Sequence, residues 1–159
     1  IYNNKGKNMK NILMTCAAIA VSIGGAAIAE GDLSRANIID VTVLLGSDDD
    51  GMFIRPSINT FVTGQAYRMV LTNTDDFKHE LALNGIGERI FTRKIEASDA
   101  EGNLITEVKG AIREVEVGPH QTVEWFIVPV QTTDGPEEFS CELPGHRESG
   151  MHVEMEINL

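Results

Sequence analysis

The last nine residues, 151-MHVEMEINL-159, alternate without a break: Met151, Val153, Met155, Ile157 and Leu159 fall on one face, and His152, Glu154, Glu156 and Asn158 on the other. Side chains alternate across a strand with a period of two, so the segment predicts a β-strand with one face in a core. Working back along the chain, "TVEWFIV" (122–128) is apolar on both faces and predicts a central strand. The segments "IIDVTVLL" (38–45), "INTFVTG" (58–64), "AYRMVLTN" (66–73) and "REVEV" (113–117) are rich in β-branched and aromatic residues. Turn formers separate them at Ser47-Asp48-Asp49-Asp50-Gly51, Thr74-Asp75-Asp76 and Gly118-Pro119-His120. Several short strands at this spacing predict an all-β domain, a sandwich or barrel. The stretch from Glu88 to Gly110 opens with "ERIFTRKIEASDA", which fits either a short helix or another strand, so one short helix is allowed between residues 84 and 110.

The N-terminal part reads differently. Met9-Lys10-Asn11 gives a short positive start, and "ILMTCAAIAVSIGGAAIA" (12–29) follows as an uncharged apolar run ending in small residues. This layout predicts a secretory signal peptide beginning at Met9 and cleaved after Ala29, with residues 1–8 upstream of it and residues 30–159 forming one domain. The apolar run is marginal for a bilayer span, so no stable membrane anchor is expected. Cys16 stands too close to Met9 for a lipoprotein signal. The formal charge is −11, and loss of Lys5, Lys7 and Lys10 with residues 1–29 would take it to −14. Such an acidic chain is unsuited to nucleic acid or an anionic membrane. Cys141 would then be the only cysteine in an oxidising compartment, the periplasm, where it cannot form an internal disulfide. Its thiol is an exposed liability, a buried apolar residue or a bound ligand.

The neighbours of Cys141 weigh on that choice. Four residues separate Cys141 from His146, four more separate His146 from Met151, and Pro144-Gly145 forms a turn between the first two. A thiolate at the end of one strand, an imidazole in the connecting loop and a thioether at the start of the next strand can converge on a point. His79, in "TDDFKHELAL" (74–83), follows a strand ending at Asn73 and is the candidate fourth ligand. Two imidazoles and a thiolate with a weak axial methionine make up the blue-copper donor set, which suits rapid one-electron cycling. Taken singly, His79 reads as a hydrogen-bonded edge histidine, Met151 as core filler and Cys141 as a small buried hydrophobe. Together they favour a metal. A zinc site with Glu80 as general base is the competing chemistry, and it leaves Met151 without a role. The run Asp48-Asp49-Asp50-Gly51 lacks spaced calcium ligands and reads as a solvated turn. His120 and His152 read as surface residues.

These residues resemble the cupredoxins, the family of azurin, plastocyanin, auracyanin and rusticyanin. "SCELPGHRESGM" (140–151) is similar to their Cys, Pro-Gly-His and Met ligand loop, with a spacing closer to rusticyanin and the phytocyanins than to plastocyanin. "MFIRPSINTFVTGQAYRMVLTN" (52–73) followed by "HELAL" (79–83) is similar to their N-terminal half. The resemblance covers most of residues 38–83 and 111–159, and it departs at His152-Val153, where the family often has Lys and Gly. It implies a Greek-key β-sandwich or barrel holding one type 1 copper ion through His79, Cys141, His146 and Met151. It further implies backbone N–H groups of Glu80 and Leu143 on the thiolate. His146 would be the exposed ligand through which electrons pass. Leu143, Pro144, Gly145 and His146 would form the docking patch, with Asp75, Asp76, Glu142 and Glu148 supplying negative charge around it.

The expected role is a periplasmic single-electron carrier and not an enzyme. Its partner would be a redox protein with a basic surface, such as a c-type cytochrome or a terminal reductase or oxidase. A copper-buffering protein of copper tolerance is the second expectation, although Met52, Met69 and Met155 are scattered rather than clustered. A zinc hydrolase is the third. A multicopper oxidase would need His-x-His pairs, and this sequence has none.

Overall fold

Alternation in the sequence becomes alternation in burial: Met155 and Ile157 are buried while His152, Glu154 and Asn158 are exposed. The structure, a computed structural model, describes residues 37–159; the expected signal segment lies outside the described residues. Among the described residues the chain forms β1 (Ile39–Asp48), β2 (Gly51–Pro56), β3 (Thr60–Val62), β4 (Tyr67–Asn73) and β5 (His79–Ala82). A 3-10 turn (Asn84–Glu88) follows, then β6 (Ile90–Ser98), β7 (Leu104–Val108), β8 (Glu114–Val117), β9 (Thr122–Pro129), β10 (Glu137–Ser140) and β11 (His152–Asn158).

Two mixed sheets result, one in the order β2-β1-β4-β9-β6-β7 and the other in the order β3-β11-β10-β5-β8. Strands β1 and β4 run parallel, as do β3 and β11, while the other pairs are antiparallel. The strand expected to be central, β9, lies between β4 and β6. The fold is therefore a cupredoxin-type β-sandwich. The helix allowed between residues 84 and 110 is only the five-residue 3-10 turn, and "ERIFTRKIEASDA" contains the whole of β6.

Trp125, Phe61 and Phe139 are the largest fully buried side chains. Phe61 meets Tyr67 edge-on at 4.9 Å, within the usual range for aromatic pairs. The buried indole N–H of Trp125 donates to Thr92 Oγ1 at 3.0 Å, so a polar group in the core is satisfied.

At one end of the sandwich β1 shapes the site. Gly46 stands where a Cβ would fall 2.1 Å from Thr74 Oγ1 and 2.9 Å from Phe53 Cζ, so only glycine admits this approach. Through that gap Thr74 donates twice to the Leu45 carbonyl, from its backbone N–H at 2.9 Å and from its hydroxyl at 3.1 Å. The loop leading into β5 is thereby pinned to the end of β1.

Candidate metal centre

His79 is the first residue of β5 and is fully buried. Cys141 follows the last residue of β10, and Met151 precedes the first residue of β11; both are fully buried. His146 is half-buried in the loop between them. That loop turns sharply because Gly145 takes a left-handed φ of 84° and the His146 N–H donates to the Leu143 carbonyl at 3.0 Å. The backbone of Met151 ties the loop together: its N–H donates to the His146 carbonyl at 3.1 Å, and its carbonyl accepts the Cys141 N–H at 3.0 Å. The Ser149 carbonyl accepts the Met52 N–H at 3.0 Å, which seats the loop on β2.

Donor atoms of His79, Cys141 and His146 all lie within 4.8 Å of one another. The two Nδ1 atoms are 3.3 Å apart, and His146 Nδ1 is 3.4 Å from Cys141 Sγ. The Glu80 N–H donates to Sγ at 3.3 Å. Burial pushes the Cys141 thiol up, the Glu80 and Leu143 amides pull it back, and the Glu80 and Glu142 charges push it up again, leaving it above the ordinary thiol range. Burial and then the neighbouring His79 lower the pKa of His146, which keeps a lone pair free near neutrality. A soft thiolate and two imidazoles are donors that copper takes, and the buried Met151 is tied to Cys141 and His146 through its backbone.

Three residues shape this cluster without having been read as part of it. Asn73 ends β4 and is buried; its side-chain amide donates to the carbonyls of Phe77, Val117 and Gly118 at 2.7, 2.9 and 3.1 Å. Its side-chain oxygen accepts the Asp75 N–H at 2.9 Å. Asp75, expected in the acidic surround of the docking patch, turns inward instead. Its Oδ2 is 2.8 Å from His79 Nε2, its Oδ1 accepts the Ser47 N–H at 3.2 Å, and its side chain is 11% exposed. Burial pushes its carboxyl up, but the hydrogen bonds from His79 and Ser47 outweigh this and hold it below the usual range. A carboxylate four residues before a candidate ligand histidine, in an Asx-rich turn, was the signal available in the sequence. Phe77 meets both imidazoles edge-on, with ring centres 4.9 Å from His79 and 5.9 Å from His146, and remains 42% exposed.

The other site residues are placed as follows. Leu143 is half-buried against the core, while Pro144 and Gly145 are exposed beside His146. Glu80 stands opposite Glu116 in the β5–β8 pair, and adjacent residues of a strand face opposite ways. Its carboxylate therefore points away from His79. Burial, Glu114 and Glu116 raise its pKa. His120 pairs with Asp76 at the surface, and His152 lies beside Glu138.

No protein-family model matches the chain, and no curated protein matches it in sequence. Solved structures do match in fold. A multicopper oxidase from Campylobacter jejuni, described as a metallo-oxidase, is 11% identical with a TM-score of 0.50, over 77% of this chain and 30% of that one. The McoA multicopper oxidase from Aquifex aeolicus is 16% identical with a TM-score of 0.55, over 79% and 30%. A copper-containing nitrite reductase (NirK) from Thermus scotoductus is 10% identical with a TM-score of 0.55, over 75% and 30%. At these identities the likeness is one of fold, and the chain spans about a third of the length of each. The expectation of a chain that is no enzyme is corrected here: the three solved structures named above, which share this fold, are two oxidases and a reductase.

Proposed function

We propose that the chain holds one copper ion at a type 1 site, through His79, Cys141, His146 and Met151, and passes single electrons between redox partners. The observation that carries this reading is the buried Cys141 sulfur, 3.4 Å from His146 Nδ1 and bonded by the Glu80 amide. When bound, copper supplies the one-electron couple. The protein contributes a fixed donor set, because backbone bonds from Met151 hold Cys141 and His146 in one rigid loop. Burial of His79, Cys141 and Met151 excludes water. The amides on the sulfur stabilise a thiolate, and outer hydrogen bonds of this kind tune a metal site.

Electrons would leave through His146, the half-buried ligand, with Leu143, Pro144 and Gly145 forming the contact and Phe77 extending it across both imidazoles. An acidic chain, of formal charge −11, fits a redox partner with a basic surface, such as a c-type cytochrome or a terminal reductase or oxidase. The periplasm is the compartment proposed. Copper(II) loading is the test: an intense blue or green thiolate-to-copper absorption band is expected, and Cys141→Ala abolishes it. A colourless copper complex overturns the type 1 assignment.

A further inference from the structure

Asp75 and Asp76 are neighbours in sequence with different surroundings. Asp76 is 97% exposed and reaches His120 in solvent. Asp75 is held from several sides. Asn73 accepts its N–H, Ser47 donates to its Oδ1, and the preceding Thr74 is locked onto the Leu45 carbonyl by two bonds. Among the described residues its Oδ2 has one partner, His79 Nε2 at 2.8 Å.

A neutral imidazole carries one N–H and one lone pair, and an ionised carboxylate only accepts. The proton of His79 therefore belongs on Nε2, facing Asp75, and the lone pair on Nδ1. That Nδ1 is the atom 3.3 Å from His146 Nδ1, inside the cluster. Were the tautomer reversed, a lone pair would face the carboxylate in a buried place and the N–H would block the donor position.

We propose that Asp75 is a positioning residue for the metal site: it fixes His79 as the Nε2–H tautomer, aims Nδ1 at the ion and strengthens that nitrogen as a donor. This rests on the copper reading above. A more basic imidazole with a negative charge behind it favours copper(II) over copper(I). Asp75 thus holds the reduction potential down, opposing the soft thiolate and thioether, which favour copper(I).

Asp75→Asn keeps the shape and removes one acceptor. Whichever way the amide turns, its NH2 faces either the Ser47 N–H or His79 Nε2, so the present pair of bonds cannot both survive. In the variant, copper(II) affinity is expected to fall about tenfold further than copper(I) affinity, the lower end for loss of an outer hydrogen bond to a metal ligand. For a one-electron couple that ratio is a rise of about 59 mV in potential. Asp76→Asn removes the same charge one residue away and should leave the affinity ratio unchanged. Equal potentials in the two variants overturn the proposal.

Nitrogen NMR of the copper-free wild-type protein gives a second measurement that needs no variant to fold. It is expected to show His79 as the Nε2–H tautomer, and finding the proton on Nδ1 overturns the proposal directly. Because that spectrum needs no copper, it separates failure of the Asp75 role from failure of the copper site, which a missing thiolate band would report.

Discussion

Replacing Asn73 with Ala should cost stability out of proportion to its size. Asn73 stands where β4 leaves the sheet, and its side chain makes four bonds, two to the following Asp75 and Phe77 and two that tie this loop to Val117 and Gly118 at the end of β8. The bond to the Val117 carbonyl is buried throughout, and the other three are partly buried. A net hydrogen bond is worth about 1 kcal/mol, and a buried group left unpaired costs about 1–3 kcal/mol. Some freed carbonyls will recover water, so the expected loss is roughly 2–4 kcal/mol rather than the full sum. At about 4 °C per kcal/mol for a domain of this size, melting should fall by roughly 8–16 °C. Urea denaturation of the copper-free protein measures the loss without contribution from metal. Asn73→Asp places an acceptor against three carbonyl oxygens, so its folded-state pKa would be raised. The variant should gain stability as pH falls, when the protonated carboxyl can donate, and lose it as pH rises through that pKa. A loss below about 1 kcal/mol for Asn73→Ala would refute the view that this one amide organises the loop.

Two further outcomes follow from the same geometry. Met151→Leu keeps the backbone bonds to Cys141 and His146 and removes the thioether, so copper should stay bound while the potential rises; complete loss of copper in a binding titration would show that Met151 is more than an axial tuner. Leu143→Lys sets a positive charge against a basic cytochrome and should slow electron exchange while leaving the copper spectrum nearly unchanged, and wild-type exchange should slow with salt as screening shortens to about 8 Å. Exchange at the wild-type rate with every cytochrome tried would make copper buffering the better reading.

His79, Cys141 and His146, whose donor atoms lie together, stood out because their chemistry is rare in combination: one cysteine outside the apolar N-terminal run, with a histidine at loop spacing. Strands with clean alternation or strong β-formers, such as β11, β9 and β4, were legible for the same local reason. β6 was not. Its inward residues Thr92 and Ile95 are three apart, which imitates helical spacing, because the pairing with β9 shifts register between Thr92 and Lys94. β10 begins with Glu137 and Glu138, poor strand formers whose charges are met by Arg89 and Arg147. Those partners lie elsewhere in sequence, so nothing local announced the strand. Asp75 was misplaced for a related reason: an aspartate in a turn looks solvated until the fold brings Ser47 and His79 to its two oxygens.

The second sheet is joined unevenly. Strands β5 and β8 pair through four residues, and so do β10 and β11, but β5 meets β10 through a single registered pair, Ser140 with Ala82. The donor cluster straddles this seam, with His79 on the β5 side and Cys141 and His146 on the β10–β11 side. A bound ion would act there as a clasp between two halves of a sheet that backbone pairing barely fastens. Ligand bound at a thousand times its dissociation constant stabilises a fold by about 4 kcal/mol. Here that energy would be concentrated on the weakest join, making loss of metal a mechanical event as well as a chemical one.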